Sequence, residues 1–277
     1  MSIPNPSQLA PRGVRRAGAG PGAGPGAGGG AGPGAAGLRG AVAFEWTKLV
    51  SLRSTWYLLL AAAVAMALAA PGIGVTFHDP AASPADPAAL AALYGVGTVV
   101  AALAMLSVTG EYATGCLTTT LQCVPDRARF LLAKCLVQGG VSFAMGVALG
   151  VGGTVAGALS LDESTFHAST AAGQVLAIGA YTALLSVLTL GLATVVRSSA
   201  GVLTCLFLLL FLLPSLLRAL PGGFPADVAD VLPQGAGERL LAGATGGYGP
   251  AVALPLLAAW AFASTALALR VLRRRDA

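Results

Sequence analysis

From Trp56 onward the chain is written in apolar blocks separated by short polar or charged stretches. The blocks run approximately over 56–75, 88–108, 135–159, 175–196, 200–217 and 251–269, and none contains Asp, Glu, Lys, Arg or His. A helix needs ~20 mostly apolar residues to cross ~30 Å of hydrocarbon, so each block predicts a transmembrane helix. Blocks four and five are separated only by Arg197, Ser198 and Ser199. Joined as one helix they would run roughly 64 Å at about 1.5 Å per residue, twice the hydrocarbon core. A tight hairpin with Arg197 at its tip is the better solution. Pro214 and Pro255 fall inside the fifth and sixth blocks and predict kinks there.

Ahead of the first block, Leu38, Val42, Trp46 and Leu49 recur at i, i+4, i+8 and i+11, one face of a helix. Arg39, Glu45, Lys48 and Ser51 fall mostly elsewhere, and Arg53 follows. Such a helix suits the membrane interface. A cytoplasmic extension of the first span has the same residues, but the polar stretch 51–55 breaks the apolar run and favours the interfacial reading. Residues 109–134 form the longest loop on the same side, with Glu111, Asp126, Arg127, Arg129 and Lys134. Gly110 and Gly115 bracket a short helical turn that includes Tyr112, and Pro125 ends the middle stretch. A docking helix for a cytoplasmic partner and a solvated connector both fit. The third block carries Gly139, Gly146, Gly150, Gly153 and Gly157 on one face, a row that allows close approach of another helix, in this subunit or a second one. Residues 218–250 join the last two blocks. There Val228, Val231, Leu232, Leu240 and Leu241 alternate with Asp227, Asp230 and Glu238, as in short helices dipping into the outer leaflet or in a surface loop.

Charge then fixes a direction. With both termini in the cytoplasm, 14 of the 16 basic residues lie inside, leaving only Arg218 and Arg239 outside, and seven of the 11 acids fall in outer loops. Lys and Arg near span ends set orientation, so this segregation predicts both ends inside the cell membrane and agrees with six crossings. Composition excludes a soluble enzyme: 56% of the 277 residues are hydrophobic, 10% are charged, and the mean hydropathy is +0.79. Residues 1–37 are a Gly/Ala/Pro tail with Arg12, Arg15 and Arg16; this composition predicts a disordered segment, with contact to anionic lipid as its alternative use. Residues 38–277 form the membrane domain.

Candidate chemistry is sparse. The four cysteines follow no metal spacing and the two histidines stand in separate outer loops, so neither metal nor cofactor is expected on this chain. No Gly-Lys dipeptide occurs, hence no G-x-x-x-x-G-K-[ST] loop to hold ATP phosphates. The spans hold no carboxylate or histidine chain of the kind proton-coupled carriers use. Energy for uphill transport would have to come from another protein, and nothing in the pattern points to nucleic acid.

Two segments resemble a known family. FEWTKLVSLRSTWYLLL, with Glu45, Trp46, Lys48, Leu49, Arg53, Ser54, Thr55 and Trp56, is similar to the opening of actinobacterial permease subunits of ABC-2 type ATP-binding cassette transporters. GEYATGCLTTTLQCVPDRARFLLAK is similar to their first cytoplasmic loop through Gly110, Glu111, Tyr112, Gly115, Thr119, Leu121, Pro125, Arg127, Ala133 and Lys134. Val50, Thr118 and Asp126 depart from that pattern. The resemblance implies an all-α permease of type V exporter-like fold, with six transmembrane helices and an N-terminal interfacial elbow helix around Glu45, Trp46, Lys48 and Arg53. It implies a coupling helix at Gly110, Glu111, Tyr112, Gly115, Pro125 and Arg127, seated on a separate cytoplasmic ATPase that holds the ATP and magnesium. It also implies a second permease copy, identical or related, and re-entrant helices between spans five and six. The function implied is export of hydrophobic or amphipathic compounds (drug, antibiotic or lipid-linked cargo), with no catalytic residue on this chain. A membrane anchor or sensor that recruits a cytoplasmic protein and moves nothing has the same topology.

Overall fold

The computed structural model describes residues 37–76, 86–115, 126–160, 168–241 and 247–274. The tail over 1–36 lies outside the described residues. Among those described, the elements are all helices. We number them α1 (Leu38–Ser51), α2 (Arg53–Thr76), α3 (Asp86–Thr114), α4 (Arg127–Ser160), α5 (Ala168–Val196), α6 (Ser199–Ala219), α7 (Gly223–Val231), α8 (Pro233–Leu241) and α9 (Pro250–Arg274). Six of them, α2, α3, α4, α5, α6 and α9, are long and apolar enough to cross a membrane, which makes this a multi-pass membrane protein. They contain the six predicted blocks and extend past them, most of all at the start of α4, because helix continues through charged residues that hydropathy places outside the bilayer.

Each end has a local cause. A single extended residue, Leu52, separates α1 from α2, and the Trp56 indole N–H donates to the Val50 carbonyl at 3.1 Å, fixing that corner. α3 stops at Gly115, whose φ of 70° and ψ of 4° lie in the left-handed region that ends helices without strain only at glycine. α4 starts on Asp126, whose Oδ1 accepts from the backbone N–H of Ala128 at 3.0 Å and of Arg129 at 3.3 Å. Asp126 therefore has a folding role where the family pattern led us to expect a base. The predicted hairpin between spans four and five is present: Arg197 turns the chain at φ 60°, and the Ser198 hydroxyl caps α6 by accepting from Gly201 N–H at 3.4 Å.

Two wide π turns interrupt the spans. One, at Leu208–Leu212, stands just before Pro214. Proline lacks the N–H for the i−4 carbonyl, and a π turn re-routes the ladder around the gap, so the expected disturbance at Pro214 takes this form. At Pro255 the α-helix runs on without a break, as it does at Pro71 in the first span. The second π turn, Ala92–Val96, had no sequence signal. It packs where a Cβ on Gly97 would lie 2.9 Å from the Ala92 carbonyl oxygen and 3.2 Å from the Tyr181 ring.

Spans α3 and α5 are the centre of the bundle: 61% of each apolar window is buried, against 22% for α2 and α6. The glycine row explains part of this. On Gly146 a Cβ would sit 2.9 Å from Gly179 Cα and 2.1 Å from Thr182 Oγ1, and Gly139 and Gly150 also face α5. Close packing at these glycines is thus made between helices of the same chain. Gly153 belongs to a different contact, against Met66 of α2 and Ala88 of α3, and Gly157 is buried. Thr182 ties the glycine contact together: its hydroxyl lies 2.9 Å from the Ser142 carbonyl of α4 and 3.0 Å from the Ile178 carbonyl of its own helix. Up to Leu241, the described part of the segment between α6 and α9 is helical rather than a plain loop, and α8 is almost wholly buried.

Candidate functional site

Bases segregate to one end of the bundle. Arg39, Lys48 and Arg53 (α1 and the start of α2), Arg127, Arg129 and Lys134 (start of α4), Arg197 (the α5–α6 turn), and Arg270, Arg273 and Arg274 (end of α9) all lie there. Physical contacts join these ends. Ala41 of α1 packs on Phe130 and Ala133 of α4, and an Arg127 Nη1–H donates to the Leu272 carbonyl of α9. Only Arg218 and Arg239 lie at the other end among the described bases.

Within the basic end, α1, α3 and α4 each contribute charge to one buried cluster. Lys134 Nζ donates to Glu45 Oε2 at 2.7 Å, to Glu111 Oε1 at 2.5 Å and to the Ser107 carbonyl at 3.4 Å, using all three of its protons. Lys48 Nζ donates to the same Glu111 oxygen at 2.5 Å. Glu45, Glu111 and Lys134 are 4–5% exposed; Lys48 is the outermost member, its side chain 25% exposed. Two carboxylates and two ammonium groups make the cluster neutral, the condition under which burial of charge is tolerable. Phe44 and Phe130 lie under the Lys48 and Lys134 ammonium groups at 5.6 and 5.5 Å.

This arrangement revises three expected placements. Glu111, expected in a loop, lies in the last turn of a span helix and is bonded inside the chain. Arg127, expected in the same loop, opens α4 and donates to the Leu272 carbonyl at the end of α9. In α1 the expected apolar face is rotated: Ala41, Glu45 and Leu49 point inward, while Leu38 and Trp46 (53% exposed) point outward. The cause is Lys134 and Glu111, which offer the charged side of α1 partners that lipid cannot. Arg53 and Gly110 are exposed, with open space around Gly110. Tyr112 carries the Arg197 guanidinium over its ring at 5.0 Å, and its hydroxyl lies 3.5 Å from the Thr194 carbonyl. Gly115 is the helix stop described above. Pro125 lies outside the described residues.

Gln138 escaped the sequence reading, as did the pairing of Lys134. A signal existed for the pairing: Glu45 and Glu111 are acids on the side where bases accumulate, and acids so placed need partners. Gln138 had none, since a glutamine in an apolar block does not announce its neighbours. Gln138 is 1% exposed, and its Nε2 reaches the Ser142 hydroxyl only at 3.5 Å. Glu45, Lys48, Glu111, Lys134 and Gln138, with Leu52, Ser54 and Leu106, line a cavity of about 30 Å3 that is partly open to the exterior. Among the described residues no group of His, Cys, Asp and Glu could hold a metal ion.

At the opposite end Arg218 pairs with Glu238 at 2.6 Å and with Asp230 at 3.4 Å, and Arg239 pairs with Asp230. Tyr248 donates to the Asp230 carbonyl beneath the Arg239 guanidinium; burial pushes its phenol above the ordinary value, against the opposing pull of Arg239. These contacts fasten α7 and α8 to the bundle. No family model matches the chain, and no curated protein matches it.

Proposed function

We propose that this chain is the permease subunit of an ATP-driven exporter of the ABC-2 type, with α1 as its elbow helix. One observation supports this reading most: a neutral ion-pair cluster joins α1 to the ends of spans α3 and α4 and makes them one stiff body. A partner that hydrolyses ATP needs something rigid to push, and a packed, charge-locked junction transmits rigid-body motion where a loose loop would absorb it. Glu111 serves as the brace of that junction rather than as the partner's contact. The contact would fall to the adjoining segment 116–125, outside the described residues. The ATPase is a separate cytoplasmic chain, since this one has no loop for ATP phosphates. A second permease copy, identical or related, completes the path, and both termini lie in the cytoplasm at the plasma membrane. The middle of every span lacks Asp, Glu, Lys, Arg and His, which suits hydrophobic or amphipathic cargo.

The test is reconstitution of the full chain with a cassette ATPase, sought first in the neighbouring reading frames. Vesicles should then show ATP-dependent movement of amphipathic compounds that stops when the ATPase is omitted or inactivated. Failure of any ATPase to co-purify, with no ATP-dependent movement, would replace the permease by the membrane anchor.

A further inference from the structure

The cluster between α1, α3 and α4 is neutral but its hydrogen bonding is incomplete. Glu45 Oε1, Glu111 Oε2 and Gln138 Oε1 are buried and have no hydrogen-bond partner. All three are acceptors, and all belong to side chains at least nine-tenths buried that line the same small cavity. Bare buried acceptors are costly, so the site calls for a group rich in N–H or O–H donors. The cavity, about 30 Å3, admits a group no larger than water or an ammonium.

Charge narrows the choice. A lone cation would leave a neutral buried cluster with one positive charge in excess, at a cost that burial magnifies. A donor that brings its own negative charge avoids this. The surroundings of the cavity supply such a molecule. Two of its lining residues, Leu52 and Leu106, are exposed, and Arg53 stands in sequence between the lining residues Leu52 and Ser54, where the first span begins. Exposed Trp46 and Trp56 flank the same corner, the side chains that mark the headgroup level of a bilayer.

We propose that the cavity is a binding site for the primary ammonium of a phosphatidylethanolamine headgroup. The ammonium donates to the bare oxygens of Glu45, Glu111 and Gln138. Lys48, the most accessible member of the cluster, swings outward from Glu111 to the lipid phosphate, joined by Arg53. The exchange replaces one ammonium on the carboxylates by another, so the buried charge stays balanced. A choline headgroup has no N–H and cannot replace the lost Lys48 bond.

The experiment is native mass spectrometry of the full chain, purified in mild detergent, with equal amounts of phosphatidylethanolamine, its N-methyl and N,N-dimethyl derivatives, and phosphatidylcholine. Retention should fall stepwise as N–H donors are removed, ending about tenfold lower for phosphatidylcholine, the size expected for loss of a charge-assisted hydrogen bond. Gln138→Leu removes an acceptor without touching an ion pair and should cut that preference to about threefold or less. Equal retention of all four lipids would overturn the proposal and leave water as the occupant. A preference undiminished in Gln138→Leu would overturn it too, placing the headgroup elsewhere. Should that variant not fold, the methylation series on the unaltered chain decides alone.

Discussion

Burying four charged side chains in a membrane protein carries a desolvation cost that mutual pairing offsets only while every partner is present. The members are therefore unequal under substitution. Glu111 accepts from both Lys48 and Lys134 through one oxygen, so its loss leaves two ammonium groups with Glu45 as their one carboxylate and a buried positive charge uncompensated. Glu111→Ala should destabilise the protein by about 3–5 kcal/mol, the usual effect of removing one partner of a buried pair. Lys48→Ala should have a smaller effect, about 1 kcal/mol or less, because that side chain is partly solvated and Glu111 keeps Lys134. Thermal unfolding of the purified variants in detergent measures both. Equal loss of stability in the two would show that the cluster does not act as a brace hinged on Glu111. The same ranking bears on transport, since a variant that melts cannot report on coupling, and activity has to be compared per folded molecule.

At the scale of elements, the contact between α4 and α5 depends on glycine at both sides, with Gly146 facing Gly179. Gly146→Ala should cost about 1–3 kcal/mol, because the added methyl meets the Gly179 backbone and not merely a rotatable side-chain end. Gly140, on the same helix with nothing within 4 Å, is the matched control. Gly140→Ala should be neutral or add up to about 1 kcal/mol through helix propensity. Comparable melting-temperature losses in both would mean that glycine flexibility, rather than close approach, matters. These elements also mark the boundary of what the sequence discloses. Six spans, the Arg197 hairpin and the close-packed glycine row follow from hydropathy, charge and spacing, which act along one helix at a time. The rotation of α1 does not, because it is decided by Lys134 and Glu111 on other helices. Neither does the π turn at Ala92–Val96, which accommodates contacts around Gly97 and Tyr181. Gly153 fell on the predicted face yet packs on α2 and α3, since a long helix at the edge of a bundle meets more than one neighbour.

For the whole molecule, the proposal rests on which end of the bundle faces the cell interior. The end bearing α1, the Arg197 turn and the tail of α9 holds nearly all of the described bases; the end bearing α7 and α8 holds Arg218 and Arg239, both paired with acids. Under the proposal, positive-inside insertion puts α7 and α8 outside. Phe224 at the start of α7 is 79% exposed, and Arg39 in α1 is exposed at the other end. In a background with the four native cysteines replaced, Phe224→Cys should react with a membrane-impermeant maleimide on intact cells, and Arg39→Cys only after lysis. The reverse pattern would turn the molecule over. It would place the braced α1 junction where no cytoplasmic ATPase can reach it, and the permease reading would fail with it.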